Sequence, residues 1–305
     1  MKNEDFFYKG CDGKLIHSFC WKAPGGAAAV LQISHGMAEH AARYAGFAEW
    51  LNGRGFTVYA NDHRGHGRTA GFPDEIGFVG EDGFDRTVED VYLLTCHIKE
   101  MHPGLPVFLL GHSFGSFVAQ DYITRYGGAL DGVILSGSAM KDSPDVRAAL
   151  ALASVMKIAG EKRPNNVLDR LMFGQFNKRI ENPVSKFDWL SRDGREVAKY
   201  DADPMCGGVF TTNFFFQFML GLSGLYQRDK ISRIPKDLPV CIVSGDRDPV
   251  GGYGKSVEKL YGFYKGLGME DLTLKLYEGC RHEIFNEINR GEVYEFIAAW
   301  LASHL

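Results

Sequence analysis

Residues 106–128 read PVFLLGHSFGSFVAQDYITRYGG, and this stretch decides the fold. Pro106–Leu110 carries no polar residue, as in a strand covered on both faces of a parallel sheet. It runs straight into Gly111-His112-Ser113-Phe114-Gly115, and a helical pattern over 116–128 follows, closed by Gly127-Gly128. G-x-S-x-G alone arises often by chance. Between a strand and a helix it marks a sharp turn with the serine at its tip. Gly111 and Gly115 lack the Cβ atoms that would clash where strand and helix nearly touch. The helix N-terminus favours negative charge beside Ser113, which makes Ser113 the candidate nucleophile.

Working outward, short apolar runs alternate with helical patterns. An antiparallel hairpin turned at Asp12-Gly13 opens the chain, followed by a strand over 28–34, a helix over 42–55 and a strand over 56–62. A helix over 87–102 stops before Pro103, and a strand over 131–137 follows the stretch quoted above. Strands over 239–245 and 272–279 flank a helix over 253–268, and a last helix spans 287–303. This alternation predicts an α/β fold with a mostly parallel, doubly wound sheet. The pattern breaks between 139 and 235, where no strand-like run continues the sheet. That segment is expected to be a helical cap inserted after the sixth strand, over the carboxyl end of the sheet where α/β proteins bind ligands. The core is then residues 1–138 and 236–305, and the cap 139–235.

A serine hydroxyl needs a base, and the base needs a carboxylate to orient it. In this fold they follow in the order serine, acid, histidine. Of the two histidines late enough in the chain, His304 is penultimate, whereas His282 lies just after the last strand and is the expected base. The acid belongs on the loop after PVCIVSG, where Asp246 and Asp248 both qualify on periodicity. Two backbone N–H donors are needed for the tetrahedral intermediate: Phe114, after the nucleophile, and Met37, on the loop His35-Gly36-Met37 after the third strand.

With 34 Lys and Arg against 38 Asp and Glu, the net charge is −4 and no basic run occurs, which excludes a nucleic-acid footprint. The N-terminal residues lack a signal-peptide pattern, and no apolar run approaches a membrane span. The expectation is a soluble, cytoplasmic protein. The six cysteines form no C-x-x-C pair and read as reduced thiols, with Cys280 a small packed side chain. His35, His40, His63 and His66 lack the His-x-x-x-His spacing of a helical metal site. They read as structural, with Asp62 and Arg64 in one polar network, and Glu283 and Glu287 read the same way. No metal and no cofactor are expected.

VFTTNFFFQFMLGL (209–222) is the most aromatic stretch. Leaving its five Phe side chains in water would forgo on the order of 10 kcal/mol, so most must be covered. On a helix, Phe214, Phe218 and Leu222 share a face with Phe215 and Met219 beside it. Phe214, Phe215 and Phe218 are expected to line a substrate passage above Ser113, with plain cap packing as the alternative. His112 is expected to contact substrate.

From about residue 10 to 303 the chain resembles the α/β-hydrolase superfamily. Within it, the chain is similar to the monoacylglycerol lipase and bacterial lysophospholipase group, which is classed with serine aminopeptidase-like hydrolases. The segments that carry the resemblance are HGMAEHAARY (35–44), NDHRGHGRT (61–69), GHSFGS (111–116), SGDRDPVGG (244–252) and RHEIFNE (281–287). WLSRD (189–193) and DPMCGG (203–208) look like cap segments of the bacterial members. The family's acid stands three residues after the loop glycine, which implies Asp248 over Asp246, and the oxyanion donor after His-Gly again implies Met37. The resemblance implies a serine hydrolase that cleaves esters of single-acyl-chain lipids through an acyl-enzyme, touching a membrane surface transiently through the cap. It also implies that the passage above Ser113 is an acyl-chain tunnel. A short-chain carboxylesterase, an amidase or aminopeptidase, and a non-catalytic ligand receptor are the alternatives. Ser113 disfavours a dehalogenase or epoxide hydrolase, whose nucleophile is usually aspartate.

Overall fold

The computed structural model describes residues 3–71 and 75–305. β1 (Asn3–Lys9) and β2 (Leu15–Trp21) form the expected hairpin, with Lys9 opposite Leu15. β3 (Ala29–Ser34), β4 (Phe56–Asn61), β5 (Val107–His112), β6 (Gly132–Ser136), β7 (Val240–Gly245) and β8 (Leu272–Tyr277) complete one sheet in the order β1-β2-β4-β3-β5-β6-β7-β8. The hairpin joins the edge of β4 antiparallel, and every later pairing is parallel. The mostly parallel sheet read from the apolar runs is therefore the one that forms.

Helices cover both faces. α1 (Ala45–Asn52) and α10 (Arg290–Ala302) bury Phe47, Leu51, Ile297 and Trp300 against Leu31, Ile33, Phe108 and Leu110. α2 (Gly83–Met101), α3 (Phe114–Tyr126) and α9 (Lys255–Gly266) bury Val88, Val118 and Leu260 on the opposite face, against Val30, Val107 and Leu109. Neighbouring residues of β3 and β5 thus feed opposite cores, which is why these strands are apolar throughout. α2 begins at Gly83, one turn before the helix read from 87, with Thr87 Oγ1 bonded back to the Gly83 carbonyl at 2.7 Å.

Between β6 and β7 the described chain adds no strand to the sheet. It forms α4 (Pro144–Ile158), α5 (Asn166–Phe173), α6 (Gly194–Ala202), α7 (Thr212–Gly224) and the short α8 (Arg228–Ile231). Asn165 caps α5 by accepting from the N–H groups of Val167 and Leu168, and Thr211 caps α7 by accepting from Phe214. α7 is the Phe-rich stretch. It packs on α4 and α2, and its Phe214, Phe215, Phe218 and Leu222 are buried. Among the described residues no helix is long and apolar enough to cross a membrane.

Candidate active site

Met37, Ser113, Asp248 and His282 stand on loops at the carboxyl edge of the sheet, after β3, β5, β7 and β8. The turn after β5 holds Ser113 at φ 51° and ψ −118°, a strained backbone for a residue with a side chain. Its neighbours make the turn possible. A Cβ on Gly115 would overlap the Ser34 carbonyl, and one on Gly111 would overlap the carbonyl of Gly115. Ser113 N–H donates to Ser136 O at 2.9 Å, and α3 starts at once with Phe114.

His282 and Asp248 come together from 34 residues apart. His282 Nδ1 lies 2.9 Å from Asp248 Oδ2, and both side chains are fully buried. Asp248 also accepts from Val250 N–H at 2.8 Å and Ser244 Oγ at 3.1 Å. Asp246 faces elsewhere, accepting from Gly279 N–H at 2.8 Å. Burial disfavours the charged imidazole, but the charge and hydrogen bond of Asp248 outweigh it and raise the His282 pKa. Burial likewise pushes Asp248 up, and His282 with the two donors brings it below its usual range. Ser113 and His282 line the same cleft. Among the described residues Ser113 Oγ and His282 Nε2 have no hydrogen-bond partner, a looseness common before substrate closes the site.

Among the described residues the backbone N–H groups of Met37 and Phe114 donate to no protein acceptor, so both are free to receive an oxyanion. The Met37 loop is heavily tied. Glu39 Oε1 accepts from Gly36 N–H at 2.5 Å and from Tyr44 at 2.9 Å. Arg43 bridges Glu39 at 2.6 Å to Glu283 at 2.6 and 2.7 Å, the residue after His282. Ala38, at φ 55°, presents its carbonyl to Tyr200 Oη at 2.7 Å and Gly207 N–H at 2.9 Å. Thus one buried ion network and one strained carbonyl fix the loop from both sides.

His35, His63 and His66 hold one another and their loops. His35 Nε2 accepts from His63 N–H at 2.9 Å, His63 Nε2 pairs with Ser34 Oγ, and His66 Nδ1 donates to the Arg64 carbonyl. Burial lowers the pKa of His66 to about 3 and that of His63 well below the ordinary value. The single network read for Asp62 and Arg64 separates into two. Asp62 holds His17 and the N–H groups of Ala41 and Arg68, whereas Arg64 extends the other way to Asp90 and Asp12. Glu287 accepts from the N–H groups of Arg281 and Arg192.

Two cavities meet at Ser113. One, of about 270 Å³, is the more polar; Glu39, His112, Arg170, Lys186, Tyr200 and Glu283 are among its walls. The other, of about 450 Å³, is mainly apolar, with Phe117, Val146, Ala153, Leu168, Phe215 and Phe218 among its walls. His112 sits with its ring 4.7 Å from that of His282, and burial followed by the neighbouring imidazole lowers its pKa to about 4. Phe215 and Phe218 are among the walls of the apolar cavity. Phe214 is not, and here the sequence reading needs correction. Its ring packs at 5.2 Å on Phe114, 4.7 Å on Phe210 and 5.7 Å on His66, beneath the cavity wall. Sharing a helix face with Phe218 placed it near the site, but Phe114 comes between.

Trp189 is a residue the sequence reading did not single out. Its ring lies 5.0 Å from that of His282, and its carbonyl accepts the His282 N–H at 3.3 Å. The segment WLSRD carried the only signal for it.

Known proteins match along the whole of this arrangement. The family model described as Hydrolase_4: Serine aminopeptidase, S33 matches residues 25–289. A monoacylglycerol lipase from Mycolicibacterium smegmatis is 32% identical over 98% of this chain and 96% of its own. Human monoglyceride lipase is 30% identical over 95% of this chain and 88% of its own. The crystal structure of a highly thermostable carboxyl esterase from Bacillus coagulans, in complex with glycerol, superposes with a TM-score of 0.91 at 28% identity, covering 99% of each chain.

Proposed function

The chain belongs to the serine aminopeptidase S33 hydrolase family, and from that premise we propose that it is a monoacylglycerol lipase with Ser113, His282 and Asp248 as its triad. It is a carboxylic ester hydrolase of the α/β-hydrolase fold and acts on a small lipid ester. The observation that carries the finer reading is the meeting of a polar and an apolar cavity at Ser113, the two halves of a single-chain lipid ester.

In this reading the acyl chain lies in the 450 Å³ cavity and the glycerol in the 270 Å³ one. Ser113 Oγ attacks the ester carbon while His282 Nε2 takes its proton, and Asp248 steadies the resulting imidazolium through Nδ1. The N–H groups of Met37 and Phe114 receive the oxyanion. Collapse returns the proton from His282 to the leaving glycerol oxygen and leaves Ser113 acylated. A water then attacks with His282 as base, and His282 passes that proton to Ser113 Oγ as the acyl–Oγ bond breaks and the fatty acid leaves. Asp248 raises the basicity of His282, while burial keeps His112 neutral beside it so that one imidazole does the proton transfer.

The helices of residues 139–235 act as a cap that receives substrate from a lipid surface. In support, Leu152 and Leu171 both line the apolar cavity and reach solvent, beside Val155 and Ile158, which are 67% and 88% exposed. A cytoplasmic setting is part of the proposal and fits six free thiols. A lysophospholipid is the second reading, favoured by Arg170 and Lys186 on the polar cavity, where they can meet a phosphate. The test is kcat/KM for a long-chain monoacylglycerol, a lysophospholipid and a graded ester series, with wild type and Ser113→Ala. Preference for the monoacylglycerol supports the proposal, and preference for the lysophospholipid supports the second reading. Activity confined to acetyl and butyryl esters contradicts both.

A further inference from the structure

Outside both cavities, His40 Nε2, Asp203 Oδ2 and Cys206 Sγ lie within 4.8 Å of one another. We propose that this trio is an inhibitory zinc site that acts on the oxyanion loop and not on the substrate. The inference is separate from the choice of lipid and concerns control of the same Met37 loop. No local spacing marks this site because His40 and Asp203 are 163 residues apart and meet only through the fold.

The donor set of one imidazole, one carboxylate and one thiol is a zinc set, with a fourth position left for water. The turn is built to aim its two donors. Asp203 Oδ1 is held by Met205 N–H at 2.9 Å and the Asp203 carbonyl by Cys206 N–H at 3.0 Å. Oδ2 is thereby left pointing at His40 Nε2, 2.9 Å away. Among the described residues Cys206 Sγ has no hydrogen-bond partner although the residue is buried. Asp203 is partly exposed and gives an entry path. The surrounding charge also suits a dication. Glu39, Glu283 and Asp203 act on Cys206 together with Arg43, three carboxylates to one guanidinium.

The mechanical consequence follows from bond lengths. A tetrahedral zinc with bonds of about 2.0–2.2 Å holds its N and O ligands roughly 3.4 Å apart. His40 and Asp203 stand 2.9 Å apart without it. Insertion therefore opens the His40–Asp203 pair by roughly 0.5 Å while Cys206 Sγ closes on the ion, and the turn shifts against the loop bearing His40. That turn holds the Ala38 carbonyl through Gly207 N–H, and Ala38 follows the oxyanion donor Met37.

Purified wild type, Cys206→Ser and Asp203→Asn are titrated with Zn²⁺ by calorimetry and by ester turnover. Co²⁺ serves as the probe for thiolate-to-metal charge-transfer absorption in the near-ultraviolet, and melting curves check that each variant is folded. Wild type is expected to bind one ion, to show the absorption band, and to lose kcat by about 10- to 1000-fold with KM nearly unchanged, as for damage to one oxyanion donor. Cys206→Ser should lose the band, and both variants should lose most of the inhibition. If Cys206→Ser does not fold, Asp203→Asn carries the test. A chelator should leave basal turnover unchanged. The proposal is overturned by absence of binding, by a band that survives in Cys206→Ser on another thiol such as exposed Cys11, or by undiminished inhibition in both variants. Loss of basal activity with the chelator also overturns it.

Discussion

Val146→Phe tests the acyl cavity without excavating the core. Val146, Ala149 and Ala153 lie on one face of α4 and form part of the wall of the 450 Å³ cavity that also reaches Ser113. Val146 also borders a smaller, polar recess that does not include Ser113. The larger side chain brings roughly four more carbons into the cavity and displaces a similar length of acyl chain. At about 0.8 kcal/mol per buried methylene this is about 3 kcal/mol, or roughly 100- to 200-fold in kcat/KM. The assay is kcat/KM across esters that share one leaving group, from acetyl to long chains, with a melting curve to register any overpacking of about 1–3 kcal/mol. The ratio of long- to short-chain kcat/KM should collapse by that factor while acetyl turnover stays within about threefold. A uniform loss at all lengths, or no change in the ratio, would refute the placement of the chain.

Other outcomes follow from the same geometry. His282 must be neutral to accept a proton and its pKa is raised, so kcat/KM should climb with pH through a limb above about 6.5. Asp248→Asn removes the charge that outweighs burial; the limb should move down and the rate fall about 10⁴-fold, whereas an unmoved limb would assign it to another group. Glu39→Ala frees Gly36 N–H and unties Arg43 from the oxyanion loop, so kcat should fall by about 10- to 100-fold with little change in KM. Equal changes in the two constants would place Glu39 in substrate binding instead. Phe214→Ala should cost about 3–5 kcal/mol in unfolding free energy, read by denaturant titration. It should leave chain-length preference intact, because Phe114 separates it from the cavity.

The strand-turn-helix at Ser113 was legible because its signals are local: an apolar strand, two glycines at a turn and a helix start within a few residues. His282 was legible by elimination and by its place after the last strand. Asp248 needed the family pattern, since alternation along a strand says nothing about which of two loop carboxylates turns inward. Only the fold shows Asp246 bonded to Gly279 and Asp248 bonded to His282. Long-range pairings were invisible for a plain reason. Arg43 meets Glu283 across 240 residues and Tyr200 meets Ala38 across 162, so no local spacing records them. The Phe-rich helix was read correctly as covered. Which rings face the cavity depends on what stands opposite, and Phe114 supplied that answer.

Covalent capture of the nucleophile tests the central claim most directly. Wild type is incubated with a long-chain alkyl fluorophosphonate, with and without competing monoacylglycerol, and read by intact mass and peptide mapping. One adduct per chain should appear on Ser113, slowed by monoacylglycerol, and Ser113→Ala should take up none and lose roughly 10⁶-fold in ester turnover. An adduct on another residue, or ester hydrolysis that persists in Ser113→Ala, would contradict the account.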